Sequence, residues 1–362
     1  MAYTNIDDPS VYFQSILYAG DDDNSTVITN TGHSDLQADF IWIKSRTHGN
    51  SGTGSHMWFD SSRGIKSTTG SNSPYLNSNS TNEEATNNNG LQAIGSDTFT
   101  PGSMTRTNES GDNYVAWQWK GNGGTTSTNT AGSIDTTVQV NADAGFSIVT
   151  FTSPGSGVYS MGHGLGTTPG FIVFKSRSHT SQWFTWHKDL SNLVTGRLSM
   201  ERTDAEEFGT ASWGAGVTST LFGLSVGMLT SANRTHVAYC FAEKQGYSKF
   251  GSYKATGNSD GTTVYTGFKP AFVMIKCRTN TAEWQIYDNK RPGYNWPNYN
   301  LSPNNNAVEY TGESYHNIEI LSNGFKIRLT DVAVNTAKAV YTYYAFAEQP
   351  FVTSTGIPCT AS

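Results

Sequence analysis

The chain has 362 residues, more than one small domain needs and enough for two or three. Only 14% of residues are charged and the formal net charge is −6, which weighs against a basic nucleic-acid-binding face. Aromatics reach 12% and glycines number 37, so the chain is not a disordered polymer but a set of aromatic-rich strands joined by polar loops. The longest apolar runs are as short as Phe40–Ile43, far below a membrane span, and no membrane insertion is expected.

In chain order, Asp8-Pro9 can cap a short helix running through Leu17, with an extended arm as the alternative. An opening strand ends at Tyr18. After a polar loop comes a central strand, Phe40-Ile41-Trp42-Ile43, which emerges into solvent through Lys44-Ser45-Arg46. An aromatic strand, His56 to Asp60, follows, then a Ser/Thr/Asn-rich insertion over Ile65–Gly95, and a closing strand, Tyr114 to Trp119.

The same sequence of elements then recurs. Past a polar stretch at 121–145, in which Thr137–Val140 can add a strand, an opening strand ends at Phe151. Next come a central strand Phe171-Ile172-Val173-Phe174-Lys175-Ser176-Arg177, an aromatic strand Gln182–His187 and a closing strand His236–Phe241. The third round ends its opening strand at Tyr253 and continues with Phe272-Val273-Met274-Ile275-Lys276-Cys277-Arg278, Glu283–Asp288 and Tyr341–Phe346. Apolar quartet, Lys, small residue and Arg keep their order three times, which marks an internal repeat. The expected fold is all-β: three tandem antiparallel β-sandwich domains of jelly-roll or lectin-like type. Their expected boundaries are 1–120 with an N-terminal arm, a linker at 121–145, then 146–246 and 247–362, the last two packed as a fixed pair.

Few residues suggest chemistry. Asp21-Asp22-Asp23-Asn24-Ser25 resembles the start of a calcium loop, but Thr26 and Gly32 stand where Gly and Glu are needed, so a solvated turn is expected. Met161 to Gly166 has spaced glycines without the helix a phosphate cradle requires, and His163 reads as a loop histidine. The eight histidines are scattered, and Cys240, Cys277 and Cys359 show no metal or disulfide pattern, as in a protein made in a reducing compartment. Asp60/Arg63 and Asp288/Arg291 share a spacing that suits ion pairs fixing a turn. No catalytic residues, cofactor or metal site is expected. Trp183, Trp186 and Trp284 lie on strands and read as core. Tyr294, Asn295, Trp296, Asn298 and Tyr299 lie in a Pro/Asn-rich loop and are the candidate glycan or protein interface, because exposed rings beside amides stack on sugars or anchor partners.

Several strings resemble a group of virion structural proteins of tailed phages of marine bacteria, especially cyanophages. They are Ile6–Gln14, Tyr114–Lys120, Gly145–Val149 with Gly162–Gly166, and above all Val237–Glu243 with Gly246–Gly251. The resemblance implies a non-enzymatic tail-fibre or appendage component with lectin-like β-sandwiches that contributes to host-surface glycan attachment. Other virion proteins would be its partners, with assembly as a homo-oligomer, a trimer first, and its place would be the virion, assembled in host cytoplasm and released by lysis. A head-associated capsid decoration protein is the alternative reading. A polysaccharide depolymerase is a third.

Overall fold

The computed structural model describes residues 3–49, 54–65, 73–291, 299–311 and 318–358. Every sheet in it is antiparallel, and the fold is all-β with sandwiched sheets, as the strand pattern leads one to expect. One strand order occurs three times: opening, closing, central, aromatic. In the first unit these are Phe13–Ala19, Asn113–Trp119, Phe40–Ser45 and Met57–Asp60. In the second they are Phe146–Ser153, Arg234–Phe241, Phe171–Ser176 and Phe184–His187, and in the third Ser248–Lys254, Val340–Pro350, Phe268–Cys277 and Gln285–Asp288. The closing strand lies between the opening and central ones, so the last strand of each unit completes its sheet.

Register makes the units comparable residue by residue. Phe40 sits opposite Trp119 and Asp60; Phe171 opposite Phe241 and His187; Phe272 opposite Phe346 and Asp288. Side chains alternate across the sheet. In the first unit Ile41, Ile43, Tyr114 and Ala116 point outward, where Leu91 and Phe99 of a small sheet (Ile28–Thr29, Thr98–Pro101, Leu91–Ile94) close a sandwich core. The third unit repeats this with Val273, Ile275 and Tyr341 beneath a small sheet of Asp260–Tyr265, Gly324–Arg328 and Ile318–Leu321. In the second, Tyr159–Gly162 pairs with Leu221–Leu224.

The inner faces of the three large sheets meet one another in a shared core that includes Phe40, Trp117, Phe171, Tyr239, Phe272 and Tyr344. Trp119, Phe241 and Phe346, equivalent by register, touch pairwise at 6.2, 5.4 and 5.7 Å between ring centroids, all edge-on. Such edge-to-face geometry is the favoured aromatic arrangement. A pseudo-threefold axis passes through this triangle. The units form one ring, and the first unit packs against the second as well as the third.

Three local expectations change. The helix begun by Asp8, whose carboxylate accepts from Ser10 N at 2.9 Å, is a single 3-10 turn, Pro9–Val11, and Phe13 onward is strand because it pairs with the closing strand. The 65–95 insertion contains strands Ser73–Asn77, Ala85–Asn87 and Leu91–Ile94. The stretch expected as a linker contributes Ser127–Asn129 to the second large sheet beside Thr136–Asn141, the strand expected over Thr137–Val140. Its Gly121–Gly124 turn wraps the Asp39 carboxylate, which accepts from the backbone N of Gly121, Gly123 and Gly124 at 2.8–2.9 Å. Gly123 and Gly124 have φ of +60° and +78°, a conformation that costs a residue bearing Cβ roughly 1 kcal/mol or more.

Candidate functional site

Of the residues proposed as an interface, Tyr294, Asn295, Trp296 and Asn298 lie outside the described residues. Tyr299 is half-buried, next to Asn300, whose backbone bridges to Tyr310. The acidic turn is self-satisfied: Asp21 accepts from Thr26 Oγ1 at 2.6 Å and Asn108 Nδ2 at 2.7 Å, and Asp23 accepts from Ser25 N at 2.8 Å. Among the described residues no cluster of three or more His, Cys, Asp or Glu could hold a metal ion. His163 lies in the loop after Tyr159–Gly162, as expected, but it is buried rather than on the surface: its Nε2 meets the Thr218 carbonyl at 3.2 Å, and burial lowers its pKa. Trp183, Trp186 and Trp284 are core residues.

The chemistry-bearing residues of the repeat converge instead on the seams between units. Contrary to the expectation that Lys-x-Arg emerges into solvent, Lys44, Lys175 and Lys276 are fully buried. These lysines lie on the inward side of their strands, two residues beyond Trp42, Val173 and Met274. Lys175 Nζ donates to the carbonyls of Ser181 and, across a seam, Thr81 at 2.7 and 2.9 Å. Lys276 Nζ donates to those of Ala282 and, across the next seam, Thr203 at 2.9 and 3.0 Å. Burial lowers these amines to about 7 for Lys44 and about 8 for the other two.

Each repeated arginine then reaches a glutamate of the neighbouring unit. Arg177 holds Glu84 in a two-pronged contact at 2.8 and 2.9 Å, Arg46 donates to Glu309 at 2.8 Å, and Arg278 to Glu206 at 2.9 Å. The backbone N of each glutamate donates to the carbonyl of its arginine at 2.7–2.8 Å, so the three seams share one geometry. Burial raises the Glu84 pKa, but hydrogen bonds from Arg177 and the charges of Arg63 and Arg177 outweigh it and hold it below the usual carboxylate value.

Deeper in, the paired residues after the aromatic strands act as the spacing suggests and do more. Asp60 pairs with Arg63, and its carboxylate also accepts from Arg63 N at 2.8 Å; Asp288 and Arg291 repeat this at 2.7 and 2.9 Å. Across one seam Tyr239 donates its hydroxyl to Asp60 at 2.6 Å, and across another Trp117 Nε1 donates to Asp288 at 3.0 Å. At the third seam the equivalent of the aspartate is His187 and that of the arginine is Leu190. There Tyr344 meets the imidazole edge-on at 5.1 Å. Burial holds the His187 pKa well below the ordinary value. One seam has therefore exchanged a buried ion pair for a neutral contact.

Sequence reading missed Glu84, Glu206 and Glu309. They sit in the variable regions at unequal distances from the aromatic strands, and their partners belong to other units. It also missed Ser15 and Asn289, which line a cleft of about 660 Å³ between the first and third units.

The match to known families spans this whole ring. The chain belongs to the family described as Domain of unknown function (DUF7483), matched over residues 8–350. Since that span takes in all three units, the DUF7483 domain corresponds to the closed ring rather than to one repeat. No curated protein and no solved structure matches this DUF7483 chain. Among the described residues no helix is long and apolar enough to cross a membrane.

Proposed function

We propose that the chain is a structural subunit of a tailed-phage particle, a tail-fibre or appendage component that contributes to attachment at a host-surface glycan. The observation that carries this reading is the use of the repeated Lys, Arg and aromatic positions. They are committed to holding three sandwiches in one rigid ring, a role suited to bearing load and presenting polar loops outward. The sequence likeness to virion proteins supplies the setting. Attachment is through loops such as the one containing Tyr299, and weak contacts multiply when several copies sit on one particle. Assembly into a homotrimer belongs to the same proposal.

Immunogold labelling of intact particles tests the reading directly. Label on tail appendages is the expected result; label on heads makes the chain a decoration protein, and unlabelled particles overturn the virion assignment. A glycan array probed with wild type and Tyr299→Ala then reads attachment, with loss of signal in the variant as the expected outcome. New reducing ends in host polysaccharide treated with the protein would favour an enzyme instead.

A further inference from the structure

The three opening strands lie at equivalent sheet edges, yet their outer sides differ. In the second unit the outer edge of Phe146–Ser153 is covered by Thr136–Asn141, with Asn141 opposite Phe146, Gln139 opposite Ile148 and Thr137 opposite Thr150. In the third, side chain and chain turn cap the start of the edge: Phe250 N donates to Glu243 Oε1 at 2.9 Å, and Ser248 N donates to Lys244 O at 2.9 Å. In the first unit Tyr12 O accepts from Lys120 N and Gly20 N donates to Asp112 O, which fixes the pairing phase. The backbone groups of Phe13, Ser15 and Leu17 therefore face away from the closing strand. Among the described residues no hydrogen bond reaches those outward groups.

The space beside that edge is the 660 Å³ cleft. Its far wall is the third-unit counterpart of the wall against which Thr136–Asn141 sits. In the second unit Gln139 is fully buried and donates to Ser61 and Ser62 at 2.8 and 2.9 Å. Counting from the equivalent Asp60 and Asp288, Ser61 and Ser62 correspond to Asn289 and Lys290, both of which line the cleft. Asn289 Oδ1 and the buried Ser15 Oγ, on opposite sides of it, have no hydrogen-bond partner among the described residues. A buried acceptor without a donor costs about 1–3 kcal/mol, so this wall is shaped to receive one.

We propose that the cleft is a strand-addition site that takes an extended segment of a partner polypeptide, antiparallel to Phe13–Ala19. The segment would carry an amide or hydroxyl donor opposite Ser15, as Gln139 stands opposite Ile148. Main-chain hydrogen bonds supply the affinity and the buried donor supplies the selectivity. A second copy of this chain does not fit, because Phe13, Gln14 and Ser15 are each at most 5% exposed, recessed between two units. Two recessed edges cannot approach to pairing distance, whereas a free strand can enter.

The test is amide hydrogen exchange on the full chain with a synthetic peptide carrying residues 133–142 of its own sequence. Exchange at Phe13, Ser15 and Leu17 is expected to slow at least tenfold, with at least threefold less protection when the peptide's Gln139 position is Ala. Ser15→Pro removes an N–H that no other described residue uses, so it should abolish the effect while unfolding at a temperature close to wild type. Leu17→Pro serves if that variant fails to fold. Three results would overturn the proposal: no protection at millimolar peptide, protection confined to other edges, or free protein in which these three amides exchange as slowly as those of Gln14 and Ile16. Protection that appears on self-association without peptide would also overturn it, in favour of a second copy.

Discussion

Tyr239 and Tyr344 occupy the same position in successive units but face different partners, and replacing each by Phe separates the hydrogen bond from ring packing. Tyr239 donates at 2.6 Å to a carboxylate that is 1% exposed, and hydrogen bonds to charged groups contribute about 1.5–3 kcal/mol. In Tyr239→Phe, Asp60 keeps Arg63, so the larger penalty of an unpaired buried charge, about 3–5 kcal/mol, does not apply. The expected cost is about 2 kcal/mol. Tyr344 touches His187 through its ring, and among the described residues its hydroxyl has only a long contact, 3.4 Å, to Thr342. Tyr344→Phe should therefore cost less than about 1 kcal/mol. Guanidinium unfolding followed by tryptophan fluorescence, compared at equal slope, measures both. Equal losses in the two variants, or a loss below about 0.5 kcal/mol in Tyr239→Phe, would refute the view that these seams are held by directed bonds rather than by generic packing.

Other outcomes follow from the same contacts. Glu84→Ala removes the partner shared by Arg63 and Arg177 and should destabilise by about 2–3 kcal/mol, more than Arg177→Ala, because Arg63 is fully buried and Arg177 is not; denaturant midpoints of the two variants check the order. Burial lowers the pKa of His56, His163, His187 and His236, the last to about 4, so the unfolded chain binds more protons below the ordinary histidine pKa of 6.5. Their contribution to stability is complete above pH 6.5 and is lost as pH falls toward 4, with His236 alone accounting for about 3 kcal/mol; stability measured at pH 7, 5.5 and 4 should show this slope, and His236→Phe should flatten it. Cys240 and Cys277 are buried and should resist thiol-labelling reagents in the native protein, then react in guanidinium, as peptide mapping would show.

How far the sequence reached is clearest at the central strands. Four apolar residues followed by Lys-x-Arg, recurring with aromatic and closing strands in fixed order, specify an all-β repeat, because alternation and local composition are properties of neighbouring residues. The turn pairs Asp60/Arg63 and Asp288/Arg291 were legible for the same reason, being three residues apart. The destination of Lys44, Lys175 and Lys276 was not. A lysine after an apolar run normally marks the return to solvent, and only a second and third sheet packed against the inner face make that position interior. Glu84, Glu206 and Glu309 carry no local signal at all, since each answers an arginine in another unit. Apart from Thr137–Val140, the Ile65–Gly95 insertion and the 121–145 stretch look like loops by composition; Ser73–Asn77, Ala85–Asn87, Leu91–Ile94 and Ser127–Asn129 become strands because a neighbouring edge offers them hydrogen bonds. Likewise nothing near Ser15 distinguishes its strand from Phe146–Ser153; whether an edge is covered or open depends on what the ring places beside it. Sequence alone thus determined the repeated strands and their outward sandwich faces, which depend on short-range pattern. Tertiary structure alone decided the ring, its buried charges and the uncovered edge at Phe13–Ala19, since these arise from contacts between segments far apart in the chain.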